Sequence, residues 1–356
     1  MPDPEGVWHS MSFSQRQPVP RIGVVIPYFQ RTPRLLHRAL TSVAAQQYRP
    51  VEVVIVDDGS PRTAAEELTA ELRNSFSRVT VVRQVNRGVA AARNAGLDAL
   101  GADVTAVALL DSDDCWKPTH LRNAAAALEA GADFFFSNTK SADETTDVLS
   151  RHPLRDQLRS SAPVQAAVPH LVRWSGGVAA LFVRGTVFHT SAVVFRRALM
   201  PEVRFPVDFL RAGEDQVAFW NLLCRAAVIM ACTEPTVMAA ARGGVGIWRN
   251  STFGSPAHLE RLADEIKWRR YMLTAPAPRS MLTTRDRQLV RSAIAARRNS
   301  ALDSVLHLLL QRRSPLSEMR YLFRSDPLCA ASWCAYLPRV LYRKARRLAD
   351  SGRFAN

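Results

Sequence analysis

The chain has 356 residues, 47% of them hydrophobic, and a formal net charge of +15. That length accommodates one large domain with an appendage, or two domains, and the apolar content is that of an ordinary globular chain rather than a disordered one. Cys115, Cys224, Cys232, Cys329 and Cys334 form no CxxC pair and no regular framework, so reduced thiols in a cytosolic compartment are expected instead of a disulfide scaffold.

The N-terminal Met1-Pro-Asp-Pro-Glu-Gly has neither a basic n-region nor an apolar h-region, and no signal peptide is expected. No stretch is long and apolar enough to span a bilayer; Leu328 to Tyr342 comes nearest and is broken by Pro338 and Arg339. The charge is concentrated at one end. Residues 257–356 hold 20 Lys/Arg and 8 Asp/Glu, so +12 of the +15 lies there. A basic C-terminal third suits an anionic partner such as a membrane surface or a nucleic acid.

In chain order, residues 1–20 read as a loose polar arm. Ile22 to Pro27 is a short apolar run that predicts a buried strand. Leu35, Leu36, Ala39, Leu40, Val43 and Ala44 recur with helical period and predict a helix over Arg34 to Gln47. Val51 to Val56 predicts the next strand, followed by a helix from Thr63 to Asn74 and a strand from Val79 to Gln84. Gly88 to Leu100 reads as a helix, Val104 to Leu110 as a strand, Thr119 to Ala130 as a helix and Asp133 to Ser137 as a strand. This alternation predicts an α/β fold with a mainly parallel sheet, helices on both faces and right-handed crossovers.

In such a sheet ligands bind beyond the carboxyl ends of the strands. Tyr28-Phe-Gln30, Asp57-Asp-Gly-Ser60 and Asp111-Ser-Asp-Asp114 all fall at such ends and should share one cleft. Asp111, Asp113 and Asp114 repel one another unless a cation sits among them. Oxygen ligands at a strand end suit Mg2+ or Mn2+, which use their remaining positions for water and substrate phosphates. An acidic turn capping the next helix would give the same short pattern. The first turn lacks G-x-G-x-x-G, which disfavours a dinucleotide cofactor.

Five segments occur in a telling order: Val25-Ile-Pro-Tyr-Phe, Val56-Asp-Asp-Gly-Ser, Asn86-Arg-Gly-Val-Ala-Ala-Ala-Arg-Asn-Ala-Gly96, Leu110-Asp-Ser-Asp-Asp and Gly213-Glu-Asp-Gln-Val-Ala-Phe-Trp220. As an ordered set over about residues 21–225 they resemble the inverting, nucleotide-sugar-dependent glycosyltransferases of family 2. Gly243-Gly-Val-Gly-Ile-Trp-Arg-Asn-Ser-Thr-Phe-Gly254 is similar to a segment of that family's bacterial exopolysaccharide enzymes.

The resemblance implies a GT-A fold, a nucleotide-sugar donor with UDP favoured, a divalent metal and a glycan or lipid-linked acceptor. It places Pro27, Phe29, Asp58, Gly88, Arg93, Asp111 and Ser112 on the nucleotide-sugar side. Phe29 stands where a base-stacking Tyr is usual and keeps the aromatic face without the hydroxyl. Asp58 would accept from the base, although its run is also that of a capped turn. Asp111, Asp113 and Asp114 would divide metal and ribose among them, in an order the resemblance leaves open. Trp116 is read as packing beside the site.

On the acceptor side, residues 138–185 carry prolines and Gly176-Gly177 and predict a connection without long elements. Thr186 to Phe195 predicts a strand bearing His189. Glu214-Asp215 opens an amphipathic helix, where acids also complement the helix dipole. By the resemblance Asp215 is the general base; Glu214, His189 and Trp248 lie toward the acceptor or the phosphates. One carboxylate base opposite a departing diphosphate is sufficient for inverting transfer.

After residue 255 the pattern turns helical, over Pro256 to Thr274 and Arg285 to Arg312, with a short basic amphipathic run from Val340 to Leu348. The expected organisation is an arm over 1–20, a catalytic domain over 21–255 (nucleotide-sugar half 21–137, acceptor half 138–255), and a basic helical extension over 256–356. The extension reads either as a brace on the core or as an anchor on anionic lipid at the inner face of a bacterial membrane. A metal-dependent nucleotidyltransferase would use the same acids, but no phosphate-binding loop follows the first strand. A nucleic-acid binder would interleave aromatics with the basic residues, and no such module is evident.

Overall fold

The computed structural model describes residues 19–49, 51–183, 185–200, 203–240, 251–275, 281–338 and 342. Most of the predicted arm, Trp248 and, apart from Tyr342, the 340–348 run lie outside the described residues.

Four strands, β1 (Ile22–Tyr28), β2 (Val51–Asp57), β3 (Arg78–Arg83) and β4 (Ala106–Leu109), lie in the order β3-β2-β1-β4 and are mutually parallel. Between them run α1 (Leu35–Ala44), α2 (Ala64–Glu67), α3 (Ala70–Asn74) and α4 (Val89–Ala99). All of β1 and β2 is buried, as a strand covered on both faces must be. Alternation divides their side chains: Val24, Ile26, Val53 and Ile55 enter one core, Val25, Val54 and Val56 the other. Helix α4 packs tightly on β1, since a Cβ at Gly96 would stand 2.4 Å from the Val25 side chain.

The second half begins with β5 (Cys115–Trp116), α5 (His120–Glu129), β6 (Phe134–Ser141), α6 (Val148–Arg151), α7 (Arg155–Arg159), β7 (Pro163–Gln165), β8 (Val168–Arg173) and α8 (Ala180–Val183). It closes with β9 (Val193–Arg196), α9 (Glu214–Arg225) and β10 (Ile229–Ala239). Strand β9 lies antiparallel between β4 and β6, and β10 runs parallel to β6. Among the described residues the sheet has ten strands, parallel in its first half and mixed in its second.

Several local expectations change. Thr63 to Asn74 is two short helices, because Leu68 is extended and Thr69 caps α3 through the Leu72 N–H. Residues 138–185 hold the β7–β8 hairpin, which joins the sheet against β10. Thr186 to Phe195 is strand only from Val193; before it, Thr190–Ala192 forms a 3-10 turn capped by the His189 ring. The long β10 has no counterpart in the predicted elements.

The C-terminal helices are α10 (Pro256–Thr274), α11 (Thr284–Leu310) and α12 (Leu316–Ser325), with a further helix over 329–338. Pro256 occupies the first turn of α10 behind a Ser255 cap, and Thr283 with Asp286 makes a capping box on α11. Leu259, Leu262, Ile266, Val290, Ile294, Leu302 and Val305 share a core with Phe219, Trp220 and Leu223 of α9. Among the described residues no helix is long and apolar enough to cross a membrane.

Candidate active site

The loops at the ends of β1, β2 and β4 are tied together by polar bonds. Gln30 donates its backbone N–H to Ser60 Oγ at 2.7 Å and its side-chain amide to Ser112 Oγ at 3.2 Å. Pro27 is buried in β1, while Phe29 beyond it is 41% exposed. Asp57 is spent on its own turn, accepting from the N–H groups of Ser60 and Ala64. Asp58 faces the start of α4. Its Oδ1 accepts from Gln84 Nε2 at 2.7 Å and from the Arg87 N–H at 2.8 Å, and its Oδ2 from the Gly88 N–H at 2.9 Å. Gly88 has φ of +88° with nothing near the position of a Cβ, so the backbone is open to close approach there.

The acid cluster begins where β4 ends. Asp114 is buried and both its oxygens accept hydrogen bonds: Oδ1 accepts from the Ala240 N–H at 2.8 Å, and Oδ2 from Ser191 Oγ at 2.6 Å, with His189 Nδ1 3.3 Å away. Burial would raise its pKa, but His189, Ser191 and the Ala240 N–H outweigh that and hold it below the usual carboxylate range. Among the described residues no other side chain hydrogen-bonds Asp113; burial, then the charges of Asp114 and Asp111, push it up to about 6, with His189 opposing. The surrounding protein disfavours a charged ring at His189, yet Asp114, with help from Asp111 and Asp215, lifts it to about 9. The His189 side chain is still 43% exposed.

A second ionic group joins this cluster to α9. Arg93, on α4, is 4% exposed. It donates from one terminal nitrogen to Asp111 Oδ1 at 2.8 Å and from the other to Glu214 Oε1 at 2.9 Å. It is therefore a buried bridge, not a solvated helix-face residue. Burial works against its charge, and the carboxylates of Asp111, Glu214 and Asp215 more than offset that. Glu214 is pushed up to about 7 by burial and by neighbouring Asp215, with Arg93 opposing. Gly213, at φ +109°, makes the sharp entry into α9 that sets both acids in its first turn.

The residue run His189-Thr190-Ser191 connects everything. His189 reaches Asp114. Thr190 donates its hydroxyl to Asp215 Oδ2 at 3.1 Å. Ser191 donates to Asp114, accepts the Asp111 N–H at 3.0 Å, and receives the Trp116 indole N–H on its carbonyl at 2.6 Å. Trp116 is 4% exposed and stacks on His120 at 4.5 Å, a packing position. Thr190 and Ser191 were not singled out in the sequence, and Gln30 was placed in the cleft there without its bonds to Ser60 and Ser112. Their roles depend on partners 77, 80 or 82 residues away in the case of Ser191 and Gln30, and hydroxyl residues in a short turn give no local signal.

Asp111, Asp114 and His189 each bring one ligand atom into a group whose members lie within 4.8 Å of one another. Asp113 stands beside that group, not within it. Two carboxylates and an imidazole suit a divalent ion of the Mn2+ kind better than the all-oxygen set that Mg2+ favours. Burial is the first cause of the raised pKa of Asp113, and a cation would relieve the part that the Asp114 and Asp111 charges add. The residues present fit such an ion.

Sheet, cleft and acids together define a glycosyltransferase of the GT-A fold. The chain belongs to glycosyl transferase family 2, whose family profile matches residues 23–201. It is 34% identical over 257 residues to the succinoglycan biosynthesis protein ExoW of Rhizobium meliloti, covering 68% of this chain and 75% of that one. ExoO, a succinoglycan biosynthesis protein of the same organism, is 28% identical over 72% of this chain and 70% of its own. In fold it is similar to S. aureus TarS 1–349 in complex with UDP-GlcNAc, with a TM-score of 0.56, 18% identity, and coverage of 88% of this chain and 81% of that one. It is also similar to the mannosyltransferase PcManGT from Pyrobaculum calidifontis in complex with GDP-Man and Mn2+, with a TM-score of 0.52, 17% identity, and coverage of 89% and 81%.

Proposed function

We propose that the chain is an inverting glycosyltransferase of bacterial exopolysaccharide synthesis. It moves a sugar from a nucleoside-diphosphate donor, a UDP-sugar first among candidates, to a glycan or lipid-linked acceptor. The observation that carries the reading is the His189-Thr190-Ser191 turn, one element that holds Asp114 on one side and Asp215 on the other. The resemblance to ExoW supports the pathway class. The nucleotide-sugar complexes of TarS and PcManGT support the donor class.

In this reading Phe29 offers its exposed face to the base. Asp58 Oδ2, with one protein donor, keeps a lone pair for a base N–H. Asp111, Asp114 and His189 would hold Mn2+ or Mg2+, and Asp113 would stand next to it. Bound there, the metal would act as a Lewis acid on the donor diphosphate. Asp215 takes the acceptor hydroxyl proton. Its Oδ1 accepts the Gln216 N–H and its Oδ2 the Thr190 hydroxyl, so the carboxylate is aimed before the acceptor arrives. Arg93 keeps Glu214 and Asp111 in register across the cleft.

The basic C-terminal third supports peripheral attachment to the inner face of the membrane, near a lipid-linked acceptor. Nucleic acid is not a partner in this reading. Titration with UDP, with and without Mn2+, tests it. Tight binding that depends on Mn2+ is expected, and UDP binding that ignores the metal would remove the donor-side assignment.

A further inference from the structure

The end of α11 and the turn into α12 form a surface that the catalytic site does not use. Every residue from Leu309 to Ser314 is exposed, as are Leu316 and Ser317 beyond the buried Pro315. Leu309 is 53% exposed, Leu310 74% and Leu316 63%. Single exposed leucines are ordinary, but here three lie close in sequence, two ending α11 and one opening α12. Arg312 and Arg313 sit between them, and no acid occurs from Leu309 to Ser317.

The tip is built, not frayed. Arg312 has φ of +58° and ends the helix, with its N–H on the Leu309 carbonyl and the Arg313 N–H on the Leu308 carbonyl. This left-handed stop is usually given to glycine. Phe253 adds a fourth apolar side chain, 57% exposed. Its ring lies 5.5 Å from that of His307, one turn before Leu310 and Gln311. Gly254 is pressed so closely on His307 that a Cβ there would collide with the ring. Phe253 belongs to the chain that continues from β10, and Ala240 at the end of β10 donates to Asp114.

We propose that this tip docks on an anionic phospholipid surface. Leu309, Leu310, Leu316 and Phe253 enter the boundary between headgroups and acyl chains, and Arg312 and Arg313 meet lipid phosphates. Charge decides against a second copy of the chain, because a symmetric contact would bring four arginines together. The proposal deepens the acceptor part of the function above and rests on it there, since a lipid-linked acceptor lies on such a surface.

The test is co-sedimentation of the full chain with phosphatidylcholine vesicles, pure or containing about one third phosphatidylglycerol, at low and high salt. Mn2+–UDP binding is measured on the same samples. Wild type should pellet with the anionic vesicles, less so as salt rises, and hardly with neutral ones. The Leu310→Glu, Leu316→Glu double variant should lose at least about tenfold in partition. Arg312→Ser with Arg313→Ser should lose about thirtyfold and most of the salt dependence. Both should bind UDP as wild type does, which reports an intact core. Equal pelleting of wild type and variants would overturn the proposal, as would equal binding to neutral vesicles, or a wild-type dimer that Leu310→Glu dissociates. If wild type fails to bind UDP while the vesicle differences hold, the donor reading falls and the docking surface stands.

Discussion

Asp264 lies on α10, and in the proposed mechanism it positions Asp215, the proposed base on α9, through the loop before it. It is wholly buried. Its Oδ2 accepts three successive backbone N–H groups, from Leu210 at 3.1 Å, Arg211 at 2.6 Å and Ala212 at 3.1 Å, while its Oδ1 takes the Tyr321 hydroxyl. That clamp fixes the loop immediately before Gly213, Glu214 and Asp215. Each bond to a charged acceptor is worth about 1.5–3 kcal/mol, but the 210–212 loop is partly wet and water can replace some of the loss. Asp264→Ala should therefore cost about 3 kcal/mol in stability, and Asp264→Asn less, because the amide oxygen can still accept. Freeing the loop lets Asp215 drift, and a misplacement of about 1 Å can cost on the order of a hundredfold in turnover. The donor side is held by other elements, so UDP affinity should stay within about threefold. Thermal unfolding, Mn2+–UDP calorimetry and steady-state transfer separate these effects. If Asp264→Ala lowers stability but leaves kcat intact, the clamp is structural alone. If UDP binding and turnover fall together, the idea of a loop that aims only the base is wrong.

Asp215→Asn should keep UDP binding and lose at least about a thousandfold in kcat, since an amide cannot take the proton; a variant that retains most turnover removes Asp215 from the mechanism. His189→Gln should weaken Mn2+-dependent UDP binding by about tenfold or more while leaving metal-free UDP binding unchanged, and calorimetry with and without Mn2+ distinguishes the two. Asp326 is buried, which alone would raise its pKa, but Arg298 and Arg270 outweigh burial and hold it below the usual range. A depressed folded pKa means that the unfolded chain takes up the proton first. The pair's stabilisation is then present at neutral pH and is lost as pH falls below about 4. Asp326→Asn should lower the neutral-pH melting temperature and flatten its acid dependence, measured by thermal scans from neutral to acid; an unchanged acid limb would show that other carboxylates control it.

The parallel half of the fold was legible because local pattern carries it. The wholly buried β1 and β2 are Val/Ile runs, α1 and α10 keep a helical period, and Pro256 marks the start of α10. The acids at the end of β4 and at the start of α9 could likewise be placed from their positions beside those runs. The mixed half was not legible in the same way. Strand β9 reverses direction between β4 and β6, and the residues just before it leave the ladder for a 3-10 turn, which alternation cannot announce.

What only the tertiary structure decided is how the acids are held. Nothing near Arg93 in sequence reveals that it is buried between Asp111, 18 residues away, and Glu214, 121 away. His189 was expected on a strand, toward the acceptor or the phosphates; it faces Asp114 and joins the metal-fitting group, while Asp113 stands beside it. Periodicity of 2.0 or 3.6 residues records which face of an element meets the core. It says nothing of which polar groups meet across the chain, because those pairings are set by packing distant elements and by the need to satisfy every buried charge.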